Sequence, residues 1–153
     1  MIHLYRADIL YFGNVLIVFD GDVKDSDLGN LNKGIIKNLS NIIKLPGGSR
    51  PESLLYDYLL SLAPDHQYWE NAAKLGITWT YLKENGPKSE KYNQEKDRER
   101  YKKWFTEHQC LFDSTGIFDF WAEDHDELIK QFKRDFVVAY NAIADRIFAR
   151  KIS

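Results

Sequence analysis

Five apolar residues in a row, Val15-Leu16-Ile17-Val18-Phe19, run directly into Asp20-Gly21-Asp22. A short, continuous, β-branched and aromatic run predicts a strand buried on both faces of a parallel sheet. Upstream, Ile2 to Tyr5 predicts a strand and Asp8 to Phe12 a helical turn or edge segment. Downstream, Leu28, Leu31, Ile35, Ile36 and Leu39 recur at helical spacing, although Asn30, Asn32 and Gly34 make that helix short or irregular. Asn41 to Leu45 predicts a second strand that stops at Pro46-Gly47-Gly48. Ser49 with Glu52 three residues later has the pattern of a capping box, and Pro51 suits a first helical turn. Leu54, Leu55, Tyr58, Leu59 and Leu62 then form one apolar stripe, which Ala63-Pro64 ends. The order is βαβα, so the two strands are expected to be parallel with a right-handed crossover. Both loops then leave the same sheet edge, and the expectation is that Glu52 comes near Asp20 and Asp22.

The second half has a different texture. His66 to Leu82 is aromatic-rich and predicts a helix and a short connector. Residues 85–96 are polar, with Gly86-Pro87 as a breaker, and predict a solvated linker. Asp97 to Glu107 predicts a charged helix carrying Tyr101, Trp104 and Phe105. Phe112 to Trp121 predicts an irregular aromatic segment. A last helix is expected from near Asp124, spaced like a cap to Glu127, with Leu128, Phe132, Phe136, Ala139, Ile143 and Ile147 on its apolar face. The composition shift divides the chain into an α/β core over residues 1–70 and a helical extension packed on it over residues 71–153.

Composition narrows the class. A chain of 153 residues suits one domain with a real core, and 44% apolar with 29% charged residues is ordinary for a globular protein. The net charge of -2 gives no global attraction to nucleic acid, so any such surface must be local. The dense basic cluster is Arg98, Arg100, Lys102 and Lys103, balanced by Glu95, Asp97 and Glu99, which reads first as a solvated helix face. One cysteine, Cys110, rules out an internal disulfide framework and fits a reducing cytoplasm. No apolar run is long enough to span a membrane, and the N-terminal residues lack a signal-peptide pattern.

The candidate chemistry is in the carboxylates. If strand geometry persists past Phe19, Asp20 and Asp22 share one side of the chain and can hold one or two divalent cations, with Mg²⁺ favoured for all-oxygen coordination that keeps several waters. Ligands in open α/β sheets bind outside the carboxyl ends of the strands, where these residues fall. Asp25 and Asp27 follow closely. The competing reading is an acidic turn, since Asp and Gly are common turn residues. Glu52 is either a third metal carboxylate or the cap and dipole partner of its own helix. Arg50 is a phosphate fork or a surface charge, and the latter is the simpler reading. Lys102 or Lys103 reaches a scissile phosphate only if its helix folds over the acidic loop. His3, His66, His108 and His125 have no metal-ligand spacing, and no Ser-His-Asp or Cys-His pattern is present.

The run Val15–Asp22 (VLIVFDGD) followed by Ile42–Leu62 (IIKLPGGSRPESLLYDYLLSL) resembles the second half of a Toprim domain, closest to the nuclease portion of the ATPase-linked overcoming-lysogenisation-defect (OLD) family. Arg98–Phe105 (RERYKKWF) and residues 120–146 resemble the helical tail that follows Toprim in such proteins. The fold this resemblance implies is a partial Toprim, a Rossmann-like parallel sheet with flanking helices, followed by a mainly helical C-terminal region. It implies Asp20, Asp22 and Glu52 as metal ligands for Mg²⁺ or Mn²⁺, Lys102 or Lys103 as a phosphate-steadying cation, and cleavage of DNA phosphodiester bonds. It also implies an ATPase domain or subunit as partner, a role in bacterial phage defence and a cytoplasmic location, and leaves a homo-oligomer open. One element departs from the family. Toprim domains begin with a strand ending in a glutamate that acts as general acid or base, and residues 1–14 contain no glutamate. The chain is therefore expected to be a C-terminal fragment of a longer ATPase-nuclease, or to take the missing strand from a partner, or to bind metal without cutting. On its own, weak or no activity is expected. Two other classes remain. In a haloacid-dehalogenase-type phosphatase, Asp20 is the nucleophile and Asp22 the acid/base. In a non-catalytic module, the acidic loop and aromatic helices dock an ATPase partner.

Overall fold

A computed structural model describes residues 13–24, 26–27 and 41–153. The strand and turn expected within residues 2–12, the helix over residues 28–39 and Asp25 lie outside the described residues. In chain order the described elements are β1 (Ile17–Phe19), β2 (Ile42–Lys44), α1 (Pro51–Ser61), α2 (Tyr68–Ala73), α3 (Trp79–Asn85), a 3₁₀ turn (Glu90–Tyr92), α4 (Asp97–Glu107), α5 (Gln109–Ser114), α6 (Ile117–Asp124) and α7 (Asp126–Ile147). The chain is thus a mixed α/β protein, mostly helical, with a small parallel sheet. It separates into two compact units, residues 1–49 with 127–153, and residues 50–126. The compositional boundary at residue 70 falls inside α2.

In the first unit, β1 and β2 pair in parallel, with Ile17 opposite Ile42, Val18 opposite Ile43 and Phe19 opposite Lys44. The ladder closes through Ile17 N–H to the Asn41 carbonyl at 2.9 Å and Leu45 N–H to the Phe19 carbonyl at 2.8 Å. Asn41 is fully buried, and its side-chain amide donates to the Val15 carbonyl at 2.8 Å, so the strand entry is fastened as well as the strand. The expectation of a strand buried on both faces is corrected. Ile17 and Ile43 are buried, but Val18 is 42% exposed. Among the described residues the sheet has two strands, β1 and β2.

In the second unit, α4 carries Tyr101, Trp104 and His108 at helical spacing on its buried side. Trp104 is its fully buried centre. Tyr56 meets it edge-on at 5.1 Å, Phe112 at 5.5 Å, and the His108 ring stacks on it at 5.2 Å. Such aromatic pairs add about 0.5–1.5 kcal/mol each beyond the area they bury.

Several expected boundaries move for physical reasons. The capping box does not form: Pro51 has no N–H and a helical φ, so it takes the first helical position and makes Arg50 the N-cap, one residue past Ser49. Residues 85–96 are not a solvated linker. Gly86, Pro87 and Tyr92 are buried, Arg100 donates to the Glu95 and Asn93 carbonyls at 2.9 and 3.2 Å, and the Tyr92 hydroxyl donates to Glu107 at 2.6 Å. A Cβ on Gly86 would overlap the Tyr56 ring, so glycine serves here as an approach point as well as a breaker. The segment expected to be irregular is two helices, α5 and α6, parted by Gly116 in the left-handed conformation (φ 74°). The last helix begins at Asp126. Asp124 ends α6 instead and accepts from the Tyr58 hydroxyl at 2.7 Å. The ends of its expected apolar stripe are open, with Leu128 and Ile147 exposed while Ala139 and Ile143 are buried.

Replacement of Trp104 by Ala is expected to cost about 3–5 kcal/mol in denaturant unfolding, as for other buried Trp truncations. Glu107 gives a pH signature. Hydrogen bonds from Lys91 and then Tyr92 hold its carboxyl below the usual glutamate range. A lowered native pKa stabilises the fold above the unfolded-state value, and that stability disappears as pH falls through the native value. The wild-type melting temperature should therefore drop more than that of Glu107→Gln as pH is lowered from about 6 to about 3, and equal slopes would show that Glu107 is not coupled to folding.

Candidate metal site

β1 ends at Phe19, and the chain turns at once. The Val23 N–H donates to the Asp20 carbonyl at 3.2 Å, closing a four-residue turn with Gly21 and Asp22 at its centre. Strand geometry therefore does not persist, and a shared side for Asp20 and Asp22 does not follow from strand alternation. Gly21 is what lets the turn pack where it does. The residue is buried, and a Cβ built on it would lie 2.9 Å from the Ser49 carbonyl oxygen and 3.0 Å from both the Gly48 nitrogen and the Leu45 oxygen. Real side chains do not tolerate that approach to backbone. The acidic turn is thus seated directly on the Leu45–Ser49 turn, so both loops leave the same end of the parallel pair, as the βαβα order predicts.

Two carboxylates flank this buried glycine. Asp20 is half-buried and Asp22 exposed. A further group belongs to the turn that sequence reasoning did not single out. Lys44, the last residue of β2, donates through Nζ to the Val23 carbonyl at 3.3 Å. Its signal lay in the register: Lys44 pairs with Phe19, the residue immediately before Asp20.

The other predicted site residues lie in the second unit. Glu52 is half-buried in the first turn of α1, where its charge complements the helix dipole. Arg50 pairs with Asp97 at 3.0 Å, with its guanidinium 5.9 Å from the Tyr101 ring centre. Lys103 pairs with Glu95 at 3.0 Å, and Lys102 is exposed on α4. Two of the four residues in the basic cluster, Arg100 and Lys103, are thus bound to the 93–95 segment.

Among the described residues, no three His, Cys, Asp or Glu side chains are grouped as a metal cage. Asp20 and Asp22 fit a different class of site. Mg²⁺ keeps most of its waters and is commonly held by one or two carboxylates together with substrate phosphate oxygens. The carboxylates of Asp20 and Asp22 are the residues here that could hold an ion in that way.

Substitution of Gly21 by Ala is expected to cost about 1–3 kcal/mol, the range of small-to-large insertions at close-packed points. It should also broaden or shift the backbone resonances of residues 20–24 and 45–49. An unperturbed spectrum would mean that the two turns are not in contact. Compared with family models, curated proteins and solved structures, the chain has no match.

Proposed function

We propose that the chain is the metal-binding portion of a DNA nuclease of the Toprim kind, working with an ATPase domain or subunit. The observation that carries the reading is the seating of Asp20-Gly21-Asp22 on the Pro-Gly-Gly turn at the carboxyl end of two parallel strands. That is the end of an α/β sheet where ligands bind, and Asp20 and Asp22 belong to the turn seated there through Gly21.

In this reading, Asp20 and Asp22 hold Mg²⁺ or Mn²⁺. The bound cation supplies Lewis-acid stabilisation of charge on phosphoryl oxygens. Lys44 ties β2 to the end of the turn by its bond to the Val23 carbonyl. The reading concerns the metal ligands Asp20 and Asp22 and assigns no general acid or base.

The phosphatase alternative has less to stand on. It needs a late acidic pair at a strand end, whereas Glu123 and Asp124 lie in α6 and Asp124 is hydrogen-bonded to Tyr58.

Calorimetric titration of Mn²⁺ tests the reading. Outer-shell partners alone typically contribute about 10–100-fold to metal affinity, so loss of both ligands in Asp20→Ala/Asp22→Ala should weaken binding by at least that much. Equal affinity in wild type and double variant would remove the metal reading. In the same titration Glu52→Gln separates the ligand role from the helix-dipole role: weakened binding supports the former and unchanged binding the latter.

A further inference from the structure

The end of α7 carries a second, independent construction. Phe148 adopts a left-handed backbone conformation (φ 55°), which is costly for a bulky non-glycine residue. The Ala149 N–H donates to the Ala144 carbonyl at 2.9 Å, the long-range bond of a Schellman stop. Phe148 gains no burial from this, being 97% exposed. What the turn achieves is a reversal of direction. Residues 150–153 run in non-helical conformation back along α7.

The side chains of α7 hold that segment through its backbone. Asn141 Nδ2 donates to the Ile152 carbonyl at 3.0 Å, and the Ile152 N–H donates to Asn141 Oδ1 at 3.0 Å. An amide that satisfies both polar groups of one residue reads an extended chain without regard to its side chain. Lys151 pairs with Asp145 at 2.8 Å, one helical turn along. Beyond Ile152, Ser153 borders a shallow hollow of about 480 Å³ lined also by Lys133, Arg134, Val137 and Val138, with Val138 63% exposed. The track is thus acidic at Asp145, backbone-reading at Asn141, and apolar with two cations at Lys133 and Arg134.

We propose that this face of α7 is a binding groove for an extended peptide, and that residues 150–153 are its resident, exchangeable occupant. The partner it fits is an extended segment with a basic residue, then an aliphatic one, then a small one, followed by an acidic residue that faces Lys133 and Arg134. The resident segment supplies the first three features as Lys151, Ile152 and Ser153. The proposal is independent of the acidic turn.

The test is a nitroxide label on Ser153→Cys in a Cys110→Ser background, read by electron paramagnetic resonance, with the blocked peptide acetyl-Arg-Lys-Ile-Ser-Asp-amide as competitor. The label should be immobilised in the otherwise unchanged chain, mobile in Asn141→Leu at unchanged helical circular dichroism, and progressively mobilised by millimolar peptide. A second variant leaves α7 intact: deletion of residues 150–153 removes a competitor whose effective concentration lies in the millimolar range, so a fluorescent form of that peptide should bind it about 10-fold or more tighter than the parent. A label equally mobile with and without Asn141 overturns the clamp. Failure of the peptide to bind the truncated variant saturably overturns the groove.

Discussion

Everything proposed about the acidic turn depends on one close approach of backbone to backbone. Gly21 lies where no side chain fits, against the Leu45 and Ser49 carbonyl oxygens and the Gly48 nitrogen. That contact locks the exit of β1 onto the exit of β2, and the ladder bond from Leu45 N–H to the Phe19 carbonyl fixes the register one residue earlier. Asn41 does the same at the other end by holding Val15. A three-residue parallel pair is little structure by itself. Fastened at both ends, it becomes a platform whose position is set by backbone geometry rather than by mobile side chains.

The second unit uses a different device. Its core is aromatic, centred on Trp104, and its irregular segments are held by side chains that satisfy backbone carbonyls and buried hydroxyls. Arg100 binds two carbonyls of the 93–95 stretch, and Glu107 accepts from both Lys91 and Tyr92. Burial raises Tyr68 to a pKa of about 12, opposed by its hydrogen bond with Thr115, which lowers it. Two of the charges that read in the sequence as a solvated helix face, Arg100 and Lys103, are fastenings of this unit.

Some of this was legible from residue order. The two strands, their parallel pairing, the break at Pro46-Gly47-Gly48 and the bounds of α4 follow from apolar periodicity and from Gly and Pro chemistry, which act locally. The turn at Asp20–Val23 stood in the sequence only as the competing reading, because the Leu45–Ser49 backbone on which Gly21 is seated is distant in sequence. The same holds for residues 85–96: polar composition predicts solvent, while burial of Tyr92 depends on a glutamate fifteen residues later. The Ser49–Glu52 spacing matched a capping box, but Pro51 moved the helix start by one residue. Lys44 escaped notice because only the register places it beside the acidic turn. The nuclease proposal takes its chemistry from the resemblance of two segments, and the seating of Gly21 is the observation that carries it.

The most direct measurement is Mn²⁺ titration of ¹⁵N-labelled protein followed by NMR. Paramagnetic broadening falls off steeply with distance from the ion, so it reports where the cation sits rather than only that it binds. The account predicts that substoichiometric Mn²⁺ erases the amide signals of residues 20–24 and 44–48 first. Broadening that begins elsewhere, for example along the acidic side chains of α6 and α7, or that is unchanged in Asp20→Ala/Asp22→Ala, would contradict it.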